Sequence, residues 1–195
     1  MKKKHKYIIT LNAMVVLGFV FLCFVATLMG ELSKGYFTKL LFATYHSSLL
    51  SPLTYLRFFT HVLGHVNWTH FIGNASYLLI LGPMLEEKHG SKTLVEIIVI
   101  TALITSIIHY VFFPGIALCG ASGVVFAFII LASFTGFREG EIPLTFILVA
   151  ILYVGDQIIQ GLTLQDNVSN LSHVIGGAVG ALMGFILNRG SKKSY

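Results

Sequence analysis

Charged residues are scarce in this chain: they make up 11% of its 195 residues, whereas 55% are hydrophobic. A soluble domain carries about 25% charged residues, so the composition excludes an ordinary water-soluble fold. Cysteine is scarce too, because only Cys23 and Cys119 are present, both in apolar sequence, and they provide no disulfide framework. The net charge of +5 comes from basic residues at the ends of apolar runs. That pattern predicts membrane topology and no nucleic-acid partner.

The apolar residues form six runs that are candidates for membrane-spanning helices. The runs cover residues 8–29, 68–85, 93–113, 121–136, 143–160 and 171–188. The first run is too long for the core of a cleavable signal peptide, so we interpret it as the first helix. The connections between the runs cover residues 30–67, 86–92, 114–120, 137–142 and 161–170. The sequence therefore predicts an all-α membrane protein, a bundle of six transmembrane helices in a single domain over residues 1–195.

Lysine and arginine predict the orientation of this bundle. With the N-terminus inside, ten of the 13 basic residues lie at inner helix ends, and the outer loops keep only Lys34, Lys39 and Arg57. Because cytoplasmic loops carry the excess of basic residues, both termini are expected in the cytoplasm. This topology places Ser122 and His173 at the outer ends of their helices.

The segment Gly120-Ala-Ser122-Gly123 opens the fourth apolar run. Backbone N–H groups are free at a helix N-terminus, so donors for an oxyanion lie close to this serine. The flanking glycines let a substrate carbonyl approach the backbone. A capping serine among small packing residues explains the same string, which is common in membrane helices.

His173 opens the sixth run, ahead of glycines that recur every fourth residue at 176, 180 and 184. Such a stripe lets a neighbouring helix approach closely, and His173 lies on or beside it. If the neighbour is the fourth helix, His173 reaches Ser122 and the two form a nucleophile and its base. A packing stripe with an interfacial histidine is the alternative. Asp156 or Asp166 could orient the histidine, but loop solvation explains Asp166 equally well, so we favour a dyad.

A third polar segment leads into the second run. His70 and Asn74 are one turn apart on one helix face, and both can donate hydrogen bonds that stabilise developing negative charge. His61 and His65 also have the i, i+4 spacing of metal ligands, but no carboxylate or cysteine lies in this stretch, so no metal site is predicted. Interfacial histidines that bond to loop carbonyls explain His61 and His65.

Together these segments resemble the rhomboid family of intramembrane serine proteases. The matching pieces are His65, His70-x-x-x-Asn74, Gly120-Ala-Ser122-Gly123, His173-x-x-Gly176-x-x-x-Gly180, the approach Arg57-Phe-Phe-Thr-His61 and the exit Leu81-Gly-x-x-x-Glu86…Gly90. The resemblance covers roughly residues 50–188. It implies the minimal six-helix form and a serine endopeptidase that cleaves peptide bonds in or near transmembrane segments of membrane proteins.

The resemblance also implies a role for each matching residue. Ser122 is the nucleophile and His173 is its general base. The oxyanion hole is formed by the Ser122 backbone N–H and the side chains of His70 and Asn74, with Gly120 beside it. The family often has tyrosine four residues after the serine, whereas this chain has Phe126, whose ring can still stack under the histidine.

The implied partners are transmembrane protein substrates and the lipid bilayer, with no cofactor. Short loops and the absence of a transit peptide favour a bacterial inner membrane, with the site towards the outer side. A catalytically inactive relative that binds transmembrane helices, as a quality-control factor, remains the alternative. A channel or proton carrier is disfavoured, because the polar residues cluster at one end of the bundle.

Overall fold

The computed structural model describes residues 11–134, 141–154 and 167–189 of the chain. The helices are α1 (Met14–Leu32), α2 (Tyr36–Leu41), α3 (Pro52–Thr60), α4 (Trp68–His89), α5 (Ser91–Phe112), α6 (Ser122–Ser133), α7 (Leu144–Val149), which continues into a π-helical turn (Ala150–Val154), and α8 (Asn167–Arg189). An isolated antiparallel bridge joins Thr44 to Leu118. Within these ranges the protein is all-α, with apolar helices, as the apolar runs of the sequence predict.

Three helices in the described part of the chain are long and apolar enough to cross a bilayer. They are α1, α5 and the stretch Asn170–Asn188 of α8. The apolar α6 is shorter, with 12 residues. The count of six spans therefore stays a prediction, as does the orientation of the termini.

Several helix boundaries differ from those expected from hydropathy. The predicted first run, 8–29, corresponds to a helix over Met14–Leu32. The expected connection at 86–92 is wrong, because α4 extends to His89 and the chain turns at Gly90 alone, with φ of 84°. A positive φ of this kind suits glycine, so one residue suffices for the reversal. The expected long connection, 30–67, contains the two short helices α2 and α3.

Glu86, near the end of α4, is buried and its carboxylate is hydrogen-bonded. Its carboxylate accepts hydrogen bonds from the backbone N–H groups of Val15 and Val16, each at 3.1 Å, and from the Ser91 hydroxyl at 2.7 Å. The N-cap residue of α1, Ala13, makes no side-chain cap. A residue 70 positions away therefore supplies the acceptor that the first turn of α1 needs.

Among the described helices, α6 and α8 share the most extensive contact, and glycine makes their close approach possible. A methyl group at Gly176 would lie 2.7 Å from the carbonyl carbon of Gly123, and one at Gly180 would lie 2.8 Å from the Cα of Ala127. Both distances are shorter than an ordinary van der Waals contact, so only hydrogen fits at the two glycines. The helix that approaches the glycine stripe is therefore α6, which is the condition on which the reach of His173 to Ser122 depends.

Candidate active site

Ser122 is the first residue of α6 and is half-buried. The N-cap residue, Ala121, makes no side-chain cap, so the first N–H groups of the helix keep their hydrogen-bonding capacity for a ligand. Gly120 has φ of 136°, a conformation that side-chain-bearing residues rarely adopt. The sharp turn at Gly120 places Ser122 at the N-terminal end of α6.

His173 lies against the same face of α6. Its imidazole is stacked on the ring of Phe126, with ring centroids 4.3 Å apart and planes 6° from parallel. Phe126 is one helical turn after Ser122, so the stacked histidine is on the serine's side of the helix. The neighbouring backbone is close as well, because a methyl at Gly123 would be 3.5 Å from the carbonyl oxygen of Ser172. The expectation that a phenylalanine can stack under this histidine is confirmed.

His70 comes to the serine from α4. A methyl group at Gly120 would lie 2.7 Å from Cε1 and 3.0 Å from Nε2 of His70, and 3.8 Å from Oγ of Ser122. The imidazole and the hydroxyl therefore border one small space, which only the absence of a side chain at Gly120 leaves open. The helix start that carries His70 is fixed by Asn67, whose side chain accepts the backbone N–H of His70 at 2.8 Å.

Asn74, one turn further along α4, is 8% exposed, and its side-chain nitrogen has no hydrogen-bond partner in the structure. A buried amide donor without a partner costs free energy, and such groups in proteins need an explanation. A substrate oxygen that accepts this hydrogen bond would supply one.

The turn before Ser122 is held by the segment that precedes α4. The Gly120 N–H donates to the carbonyl oxygen of His61 at 2.9 Å, and Thr44 and Leu118 exchange two backbone hydrogen bonds of 2.9 Å. The Ala121 N–H donates to Nε2 of His65 at 3.5 Å. These contacts join residues more than 50 positions apart, which local sequence patterns do not reveal.

The remaining histidines near the site have structural partners. Nδ1 of His65 bonds to the carbonyl oxygen of Leu63, which confirms the expectation of a histidine bonded to a loop carbonyl. Nε2 of His61 contacts the Thr105 hydroxyl at 3.3 Å instead. Within the described ranges, no group of three histidine, cysteine or acidic residues could hold a metal ion.

Cys119 is close to Ser122 in sequence but is not an activated thiol, because burial raises its pKa to about 11. Lys92 and Glu96 form an i, i+4 ion pair at 3.8 Å. Asp156 and Asp166, the two candidates for a third catalytic member, lie outside the described residues.

The fold and the site together define an all-α membrane protein in which polar groups gather at the N-terminal end of α6. Residues 52–190 match the family model of the Rhomboid domain, which is well over half of the chain. The chain therefore belongs to the rhomboid family of intramembrane proteases.

Two relatives carry the name rhomboid protease GlpG. The protein from Haemophilus influenzae is 29% identical over 142 residues, which cover 71% of this chain and 72% of that protein. The protein from Enterobacter sp. strain 638 is 32% identical over 131 residues, which cover 66% of this chain and 47% of that protein.

Proposed function

We propose that this chain is an intramembrane serine endopeptidase with Ser122 as nucleophile and His173 as general base. The observation that carries the proposal is the parallel stack of His173 on Phe126, one turn from Ser122 along α6. Stacking fixes the plane of the imidazole, and a general base needs a fixed orientation toward the proton it removes.

The oxyanion hole in this proposal consists of the Ser122 N–H, the His70 imidazole and the Asn74 amide. His70 and Ser122 border the same space beside Gly120, and the buried Asn74 nitrogen has no hydrogen-bond partner in the structure. Donors placed in a dry site before the reaction stabilise the negative charge as it develops.

The reaction follows from these roles. Oγ of Ser122 attacks the carbonyl carbon of the substrate peptide bond while His173 accepts the hydroxyl proton. The carbonyl oxygen becomes an oxyanion and is held by the three donors. The C–N bond then breaks, the amine leaves with the proton from His173, and water activated by the same histidine hydrolyses the acyl-enzyme. No cofactor enters these steps.

The substrate class follows from the short helix. With 12 residues, α6 is about 18 Å long, whereas the hydrocarbon core is about 30 Å thick. If the C-terminal end of α6 lies near one membrane surface, Ser122 at the other end lies inside the membrane, below the opposite surface. The substrates we propose are therefore transmembrane proteins, cut in or near their membrane segments. We further propose that both termini lie in the cytoplasm and that the site faces the outer side, because this orientation puts ten of the 13 basic residues on the cytoplasmic side. The short loops between the helices favour the inner membrane of a bacterial cell.

A fluorophosphonate probe tests the proposal directly, because it reacts with an activated serine hydroxyl. The purified chain in liposomes should be labelled and should cleave a single-span substrate, whereas Ser122→Ala should do neither. Ser76→Ala is the matched control, since Ser76 is an exposed α4 serine that bonds only to the Ile72 carbonyl in the structure. Labelling or cleavage that survives Ser122→Ala would remove the assignment, and binding of the substrate without either would favour the inactive relative.

A further inference from the structure

His65 lies between the two elements that supply the proposed oxyanion donors. On one side its Nε2 accepts the N–H of Ala121, the residue before Ser122. On the other side its ring packs edge-on against the ring of His70, with centroids 5.0 Å apart.

The hydrogen bonds of His65 fix its tautomer. Nδ1 faces the carbonyl oxygen of Leu63 at 3.1 Å, and a carbonyl can only accept, so Nδ1 carries the proton. The Thr27 hydroxyl, 3.4 Å from Nδ1, already donates to the Cys23 carbonyl at 2.8 Å and is left as a second acceptor. Nε2 is therefore without a proton in the neutral ring and is free to accept from Ala121.

The environment keeps this ring neutral. His65 is 3% exposed, and burial together with the neighbouring His70 lowers its pKa to about 4, although the bond to Leu63 opposes the shift. At neutral pH the ring is an acceptor toward Ala121. A protonated ring would place an N–H against the Ala121 N–H, and two donors cannot bond to each other.

We propose that His65 is a positioning residue for the reaction: its neutral Nε2 holds the Ala121 peptide, and through it the Ser122 N–H, in register with His70. The inference rests on the proposed serine-protease function. The Ala121 contact, at 3.5 Å, is longer than most hydrogen bonds, and the Gly120 N–H bond to His61 at 2.9 Å supports the same turn. In this proposal His65 sets the orientation of the turn before Ser122, and the His61 carbonyl provides the shorter hydrogen bond that stabilises this turn.

Two nearly isosteric substitutions of His65 distinguish the role of the Nε2 acceptor from the role of the ring as a whole. The amide of glutamine reaches the position of Nε2 and can accept from Ala121 through its oxygen. The amide of asparagine reaches only the position of Nδ1, so it can donate to Leu63 but leaves Ala121 without an acceptor. We expect His65→Asn to lower kcat by about tenfold or more with little change in KM, since small misplacements of catalytic groups have effects of this size. His65→Gln should recover most of that loss.

The assay uses the full chain in liposomes with a single-span substrate, and thermal unfolding of each variant is measured beside it. Equal kcat values for the asparagine and glutamine variants would overturn the positioning role. If neither variant folds, the ¹⁵N NMR spectrum of histidine-labelled wild-type protein decides: a proton on Nδ1 of His65 agrees with the proposal, and a proton on Nε2 contradicts it. Fluorophosphonate labelling of wild type tests the underlying function separately, because a wild-type chain that never labels at Ser122 refutes the protease and not the tautomer.

Discussion

Gly176→Ala is expected to separate the two halves of the proposed dyad. The added methyl would lie 2.7 Å from the carbonyl carbon of Gly123, and an ordinary contact begins at 3.4 Å. Backbone cannot rotate away as a side chain can, so α6 and α8 must move apart by at least about 0.7 Å at this crossing. Gly176 is one turn from His173 and Gly123 adjoins Ser122, so the displacement falls on the two reacting groups.

A misplacement of about 1 Å can cost about 10²-fold in rate, so we expect kcat to fall by roughly 10- to 100-fold. Overpacking also destabilises, by about 1–3 kcal/mol, against which alanine gains about 1 kcal/mol in helix propensity over glycine. The net loss in unfolding free energy is therefore about 0–2 kcal/mol, somewhat less than the ~1.4–2.7 kcal/mol that a 10- to 100-fold fall in kcat represents.

The assay compares kcat for a single-span substrate in liposomes with the midpoint of thermal unfolding in detergent. Gly18→Ala is the matched control, because a methyl at Gly18 on α1 meets no atom within 4 Å. A Gly176→Ala protein that keeps wild-type kcat would refute the reasoning, since it would mean that the α6–α8 distance does not set the geometry of the site.

Two further substitutions test other parts of the structure. Asn74→Ala should lower kcat by about 10²–10³ with KM little changed, because the donor is used only by the oxyanion, and steady-state kinetics in liposomes would measure both constants. An unchanged kcat would remove Asn74 from the hole. Glu86→Ala should lower the free energy of unfolding by about 2–3 kcal/mol, because it leaves the Val15 and Val16 N–H groups without an acceptor. Denaturant titration would measure this change, with Glu87→Ala, a substitution of the exposed neighbour, as the control. Equal stability of the two variants would contradict the capping role.

The sequence-level predictions that proved correct depend on spacing along a single helix. The glycines at 176 and 180 lie on one face by helical periodicity, and that face does contact α6. The stack of Phe126 on His173 was expected on other grounds, from the family resemblance, because the family often has a tyrosine four places after the serine. Repeats of three and four residues are legible in sequence because helix geometry is regular.

The contacts that sequence did not reveal join distant segments. Glu86 is close in sequence to the end of its own helix, yet its carboxylate caps α1 and bonds to Ser91. The sequence indicated an interfacial role for His65, yet its Nε2 bonds to Ala121, which lies 56 positions later. Which residue supplies a missing acceptor depends on how the helices assemble, and neither periodicity nor hydropathy encodes that choice.

The Glu86 carboxylate has a mechanical consequence for the bundle. It ties together the beginnings of α1 and α5 and the end of α4, about 24 Å along α4 from His70. Separation of these helices at Glu86 breaks three hydrogen bonds at once. Separation beside His70 breaks none of the three. Thermal fluctuations that separate α1, α4 and α5 should therefore pivot about Glu86.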